Sequence, residues 1–300
     1  MNTQNVRTYR VGLIGRGIQG SLSPAMHERA GAREGLEYSY ELIDLEKLEA
    51  DARELSNLLR SAERRGFCGL NVTHPCKQAV IPYLDELSKD ARQIGAVNTV
   101  VFDNGRRVGH NTDCWGFAQA FKRSAADAAL DRVVQLGAGG AGAAVAHAIL
   151  DLGALQLMVG DQDQSRAERL AADLCMHFGP GRALAVTDIA AALQNADGLI
   201  HATPTGMASH PGLPLRREWL QPSHWVAEIV YFPLETQLIR VAREIGCATI
   251  DGSGMAIYQA AGAFHLFTGV VPNADDMRRD FDELVSARRA QSADLSAAAQ

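Results

Sequence analysis

Short apolar runs alternate with stretches whose apolar positions recur at helical spacing along almost the whole chain. Residues 11–14, 38–43, 69–72 and 97–102 read as strands, and residues 45–60 carry a helical period through Leu45, Leu48, Leu55, Leu58 and Leu59. Ser23-Pro24 reads as a helix N-cap followed by proline at the first helical position. A linking helix is predicted over 114–122. Beyond it, residues 133–136, 155–159, 183–186, 198–201, 225–230 and 248–250 read as strands, and 139–152 and 165–177 as helices between them. From Gly254 to about Arg289 the pattern predicts two helices, and the Ser/Ala-rich residues after them are expected to fray. Strands alternating with helices predict an α/β protein with a doubly wound parallel sheet.

Composition narrows the class. The chain has 300 residues, room for two ordinary domains, with 47% apolar and 21% charged residues as in globular proteins. A net charge of -6 without any Lys/Arg block disfavours nucleic acid as a partner, because phosphate binding needs a positive face. The apolar stretch at 11–15 is too short for a signal-peptide core, and no apolar run approaches the roughly 18 residues of a membrane span. No membrane association is therefore expected. Five scattered cysteines (Cys68, Cys76, Cys114, Cys175, Cys247), odd in number and without a C-x-x-C, read as reduced thiols of a cytoplasmic protein. Nine histidines without an H-E-x-x-H pair argue against a metal enzyme.

The second half holds a nucleotide signature. Gly137-Ala138-Gly139-Gly140-Ala141-Gly142 matches G-x-G-x-x-G, with an apolar strand directly before it and a helix directly after. Glycines at Gly137, Gly139, Gly140 and Gly142 let the backbone approach a pyrophosphate at the positive helix end. Without a ligand, the same residues would be a tight strand-to-helix turn. Asp161 ends the next strand at the interval, roughly 20 residues on, where an acidic side chain binds the adenosine ribose hydroxyls, and Asp163 follows. Either aspartate can also start the next helix as an N-cap. The pattern points to NAD.

The first half carries Asn71-Val72-Thr73-His74-Pro75-Cys76-Lys77, Gly95-Ala96-Val97-Asn98-Thr99 and Asn111-Thr112-Asp113. Ser21-Leu22-Ser23-Pro24 with His27 precedes them. His201-Ala202-Thr203-Pro204-Thr205-Gly206-Met207 and Gly252-Ser253-Gly254-Met255 with Gln259 follow. In these ordered motifs, and through nearly its whole length, the chain resembles the shikimate dehydrogenase family. The resemblance implies that Lys77 and Asp113 are the catalytic pair and that Ser21 and Ser23 hold a substrate carboxylate. It implies that Thr73, Asn98, Asn111 and Gln259 bind ring hydroxyls, with Tyr231 near the carboxylate. Thr203 and Gly254 would touch the cofactor. The family fold implies a substrate-binding domain from residues 1–113 and 253–300, a Rossmann-type NAD-binding domain over 114–252, and a substrate between the two.

The chemistry agrees. Oxidising a secondary alcohol by hydride transfer needs a group to take the hydroxyl proton, and a lysine in a partly dry cleft can do so. Taken singly, Lys77 reads as a solvated helix-start lysine and Asp113 as an N-cap. Two departures from the family pattern stand out. Asp161-Gln162-Asp163 replaces the basic Asn-Arg-Thr cluster of the NADP-using members, and His201, read as a packing residue, replaces the usual Asn. The expected activity is interconversion of shikimate with 3-dehydroshikimate, quinate with 3-dehydroquinate, or both, by a monomer or homodimer. An aminoshikimate-like substrate, or a catalytically silent sensor on the same fold, remains an alternative.

Overall fold

A computed structural model describes residues 8–298. In chain order the elements are β1 (Thr8–Gly15), α1 (Ser23–Arg33), β2 (Glu37–Asp44), α2 (Leu55–Arg64), β3 (Gly69–Val72), α3 (Cys76–Ala79), β4 (Glu86–Leu87), α4 (Lys89–Ile94), β5 (Thr99–Asp103) and β6 (Arg106–His110). There follow α5 (Thr112–Ser124), β7 (Arg132–Leu136), α6 (Gly140–Asp151), β8 (Gln156–Gly160), α7 (Gln164–Phe178), β9 (Ala183–Ala185), α8 (Ile189–Leu193) and β10 (Gly198–His201). The chain closes with β11 (Trp225–Glu228), α9 (Gln237–Ile245), β12 (Ala248–Ile250), α10 (Ser253–Thr268) and α11 (Ala274–Ala298). The chain divides into two compact units. One takes the described residues up to Ser88, Val97–Thr112 and those from Ala260 on; the other takes Lys89–Ala96 and Asp113–Gln259. Residues 89–96, Asp113 and residues 253–259, expected from the resemblance to lie in the first domain, cluster with the second unit.

The first unit holds a six-stranded sheet in the order β2-β1-β3-β5-β6-β4. It is mixed, not parallel throughout: β1 runs parallel to β2 and β3, whereas β5 is antiparallel to both β3 and β6. The β5–β6 pair is closed by the Asn104-Gly105 dipeptide, whose φ angles of +49° and +79° suit a tight two-residue hairpin. The helix expected from Leu45 begins only at Leu55. Asp44 bends the chain first, because its carboxylate accepts from the backbone N–H groups of Gly17, Ile18 and Glu46. Burial raises the Asp44 pKa, but those bonds and one from Gln19 outweigh it and hold it below the ordinary value. The core gathers Val11, Leu13, Ile18 and Tyr40 with Ala263 and Phe267 of α10. His27, inside α1, is a core residue among Tyr38, Tyr40 and Phe264, hydrogen-bonded to the Tyr38 hydroxyl at 2.9 Å.

The second unit is a parallel six-stranded sheet in the order β12-β11-β10-β7-β8-β9, a doubly wound arrangement. Val133 of β7 enters one apolar cluster with α6 and α7, and its neighbour Val134 enters another with Leu199, Val226 and Leu238. Burial on both faces explains why these strands read as continuous apolar runs. At the chain's end α11 continues to Ala298, past the expected stop near Arg289; residues 299 and 300, the last that were expected to fray, lie outside the described residues. Among the described residues no helix is long and apolar enough to cross a membrane, and all five cysteines are free thiols.

Candidate functional site

Within the first unit, six of the residues singled out by sequence lie along one edge of the sheet. That edge comprises the carboxyl ends of β1, β3 and β6 and the start of the antiparallel β5. Ser21 and Ser23 sit in the turn leaving β1. Ser23 is the first residue of α1 and not its cap; Leu22 takes the cap position, and Ser21 Oγ accepts from Ser23 N at 3.2 Å. Thr73 leaves β3 with its N–H on the Ile14 carbonyl at 2.9 Å, and its methyl fills the space that a side chain at Gly15 would need. Lys77 follows on α3, half-buried, with its carbonyl accepting from Val97 N at 2.8 Å.

Asn98 is 3% exposed. Its Oδ1 accepts from Thr112 N at 2.8 Å and from the Thr99 hydroxyl at 3.1 Å, while its Nδ2 donates to Thr112 Oγ1 at 2.9 Å. The chain continues this network through Asn71, which donates to Thr99 Oγ1 and accepts from the Tyr40 hydroxyl. Asn98 thereby holds Thr112, the residue between Asn111 and Asp113. Both of those are buried, Asn111 directly after β6 and Asp113 standing in the first turn of α5. A shallow concavity of about 630 Å³, lined by Phe67, Phe102 and Phe267 among others, contains none of these groups.

In the second unit the glycine-rich turn joins β7 to α6, at the point where the strand order reverses. Gly137 has φ +104°, and a Cβ there would lie 2.5 Å from the Ala202 carbonyl. A Cβ at Gly142 would lie 2.2 Å from the Gly137 carbonyl. At Gly139 it would meet nothing within 4 Å, and no side chain caps α6 there, so the backbone faces open space. Gly140 is the first residue of α6. Gln135, fully buried on β7, fastens this turn by donating to the carbonyls of Gly137 and Gly142 at 2.8 and 2.9 Å.

Asp161 stands just past β8. Its Oδ2 accepts from Ala138 N at 2.7 Å and its Oδ1 from Asp163 N at 2.9 Å. Two of a carboxylate's roughly four lone-pair positions stay available. Asp163 caps α7, accepting from both Ser165 N and Ser165 Oγ, and the Ser165 bonds hold its pKa below the ordinary value. Thr203 leaves β10 beside Gly137, and Tyr231 leaves β11, 37% exposed. Gln259 reaches α5 because Gly116 has no side chain: a Cβ there would lie 2.8 Å from Gln259 N. Gly254 faces Ala120 of α5, where a Cβ would come within 2.7 Å, so its lack of a side chain serves helix packing.

Three groups escaped sequence reasoning: Gln135, Thr112 and Glu228. Gln135 and Glu228 lie inside apolar strand runs, and a polar residue there needs a buried partner. Glu228 is 2% exposed and opposite His201 in the register of β10 and β11.

The family model described as the shikimate dehydrogenase substrate binding domain matches residues 13–100, and that of the shikimate 5'-dehydrogenase C-terminal domain matches residues 252–279. A shikimate dehydrogenase (NADP(+)) of Streptomyces avermitilis is 57% identical, over 92% of this chain and 96% of that protein. A quinate/shikimate dehydrogenase (NAD(+)) of Corynebacterium efficiens is 47% identical over 90% and 96%. The solved quinate dehydrogenase of Corynebacterium glutamicum in complex with NAD superposes with a TM-score of 0.86 at 45% identity, covering 92% of this chain and 99% of that one.

Proposed function

The chain belongs to the shikimate dehydrogenase family, and on that premise we propose that it is an NAD-dependent dehydrogenase of shikimate, quinate or both. A dinucleotide held by its pyrophosphate at the Gly137–Gly142 turn would supply a nicotinamide as hydride acceptor. Ser21 and Ser23 hold the substrate carboxylate through their hydroxyls. Thr73, Asn98, Asn111 and Gln259 hold the ring hydroxyls, with Tyr231 beside the carboxylate. Lys77 and Asp113 serve as the acid/base pair that takes the proton from the hydroxyl that becomes a ketone. Glycines at Gly137, Gly139, Gly140 and Gly142 admit the pyrophosphate.

The observation that carries the choice of NAD is Asp161. Its carboxylate is fixed by two backbone N–H groups at the carboxyl end of β8, where a ribose hydroxyl would donate to it and a 2′-phosphate would be repelled. Gln162 offers no guanidinium to bind that phosphate. The relatives named for NAD(+) and the quinate dehydrogenase solved with NAD support this reading; the relative from Streptomyces avermitilis is named for NADP(+). The test is a panel of shikimate, quinate and an amino analogue, each with NAD and with NADP, read by formation of the reduced nicotinamide. Turnover with shikimate or quinate and NAD is expected. Turnover only with the amino analogue, or only with NADP, would overturn the proposal.

A further inference from the structure

His201 was read from sequence as a packing residue, yet its pairing with Glu228 joins the sheet interior to the glycine-rich turn. His201 Nδ1 lies 2.9 and 3.0 Å from the two oxygens of Glu228, both side chains being fully buried. Glu228 already accepts from Val230 N and the Thr236 hydroxyl, so it takes the acceptor role toward Nδ1 as well, and Nε2 faces outward. Nε2 then meets Thr203 Oγ1 at 2.5 Å, and Thr205 N also points at that oxygen, at 3.3 Å. Thr203 is half-buried, and its methyl packs where a Cβ on Gly137 would come within 3.1 Å. The same carboxylate accepts from Val230 N at 2.9 Å, just before Tyr231, and from the Thr236 hydroxyl at 3.0 Å. Thr236 in turn caps α9, and Gly206 packs against it.

A buried carboxylate with three such donors is costly to disturb and rigid when intact. Packing alone does not require an imidazole whose second nitrogen is spent on a hydroxyl at the rim of the turn. We infer that His201 is a positioning residue for the dinucleotide: held by Glu228, it fixes the Thr203 hydroxyl that contacts the bound cofactor. This inference rests on the dinucleotide reading of the Gly137–Gly142 turn.

The test is fluorescence titration of the purified protein with NADH and NADPH, and of its shikimate affinity, in His201→Asn, Thr203→Val and the double variant. Asn keeps a donor near the Nδ1 position but cannot reach Thr203; Val keeps the shape of Thr203 without its hydroxyl. Each single change is expected to weaken the better-bound dinucleotide roughly 5- to 30-fold, the loss of one hydrogen bond, with shikimate affinity changed less than about twofold. The double variant is expected to match the singles and not their product, because both remove the same interaction. Multiplying effects, or equal weakening of dinucleotide and shikimate, would overturn the inference. Thr203→Val leaves the buried pair intact, so unchanged dinucleotide affinity in that variant alone also overturns it, even if His201→Asn fails to fold. A wild-type protein that binds neither NADH nor NADPH would instead overturn the underlying dinucleotide reading, and this inference with it.

Discussion

Replacing Asp161 by Ser together with Gln162 by Arg is predicted to reverse the cofactor preference. The wild-type carboxylate cannot swing aside, since Ala138 N and Asp163 N hold its two oxygens at 2.7 and 2.9 Å. Two unit charges about 4 Å apart repel by about 4 kcal/mol at an effective dielectric of 20. Asp161 is half-buried at the edge of the sheet, so solvent and salt reduce this to about 2–3 kcal/mol, or roughly 30- to 150-fold against NADP. Asp163 contributes less than its charge suggests, because its carboxylate is engaged by Ser165 at the start of α7. Removing Asp161 also removes a charge-assisted bond to Ala138 N, worth about 1.5–3 kcal/mol. Kinetics therefore need a temperature at which circular dichroism shows the double variant folded. The assay is kcat/KM for NAD and NADP at saturating shikimate in both proteins. A wild type that prefers NADP, or a double variant with an unchanged ratio, would refute the reasoning.

Lys77→Ala is expected to cut turnover by roughly two to four decades with much less effect on substrate affinity, the usual scale for losing an acid/base group; near-normal turnover would make Lys77 a bystander. Ser21→Ala with Ser23→Ala is expected to raise KM for carboxylated substrates, at about 1.5–3 kcal/mol per hydroxyl-to-carboxylate bond, and to spare an uncharged analogue; equal losses for both would remove the serines from carboxylate binding. Burial pushes the His27 pKa from 6.5 down to about 3, so the imidazole is neutral in the folded chain. Below pH 6.5 the unfolded chain binds a proton that the folded chain does not, so this part of the stability is full above pH 6.5 and falls on acidification toward pH 3. Between about pH 6.5 and 5 the loss should be roughly 1–2 kcal/mol. Urea unfolding at about pH 7 and 5 should show a shallower fall in His27→Phe; an equal fall in both proteins would contradict it.

Much of this architecture was legible because parallel strands buried on both faces leave unbroken apolar runs. β10 and β12 were read to the residue, and the glycine-rich turn stood where its strand and helix predicted. The misreadings have specific causes. The leucines from Leu45 onward keep a helical period by coincidence: Leu45 is fully buried beneath the Asp44 turn, whereas Leu48 is 53% exposed. The Asn104-Gly105 hairpin signal was present, but its second strand, Arg106–His110, carries no apolar run to mark it. Glu228 and Gln135 were hidden because each partner is far along the chain or in the backbone: His201 faces Glu228 only through the register of β10 and β11. The order of Asn111, Thr112 and Asp113 could be read directly, but not that Asn98 holds Thr112 by both its backbone and its hydroxyl.

The central claim is that this chain moves a hydride from a ring carbinol to a nicotinamide. It is tested most directly with shikimate and quinate carrying deuterium on the carbon whose hydroxyl becomes the ketone, incubated with the protein and NAD. The account predicts that, for at least one acid, deuterium appears in the reduced nicotinamide in equal amount to the ketone formed. Deuterium released to water during ketone formation, or no ketone from either acid, would contradict it.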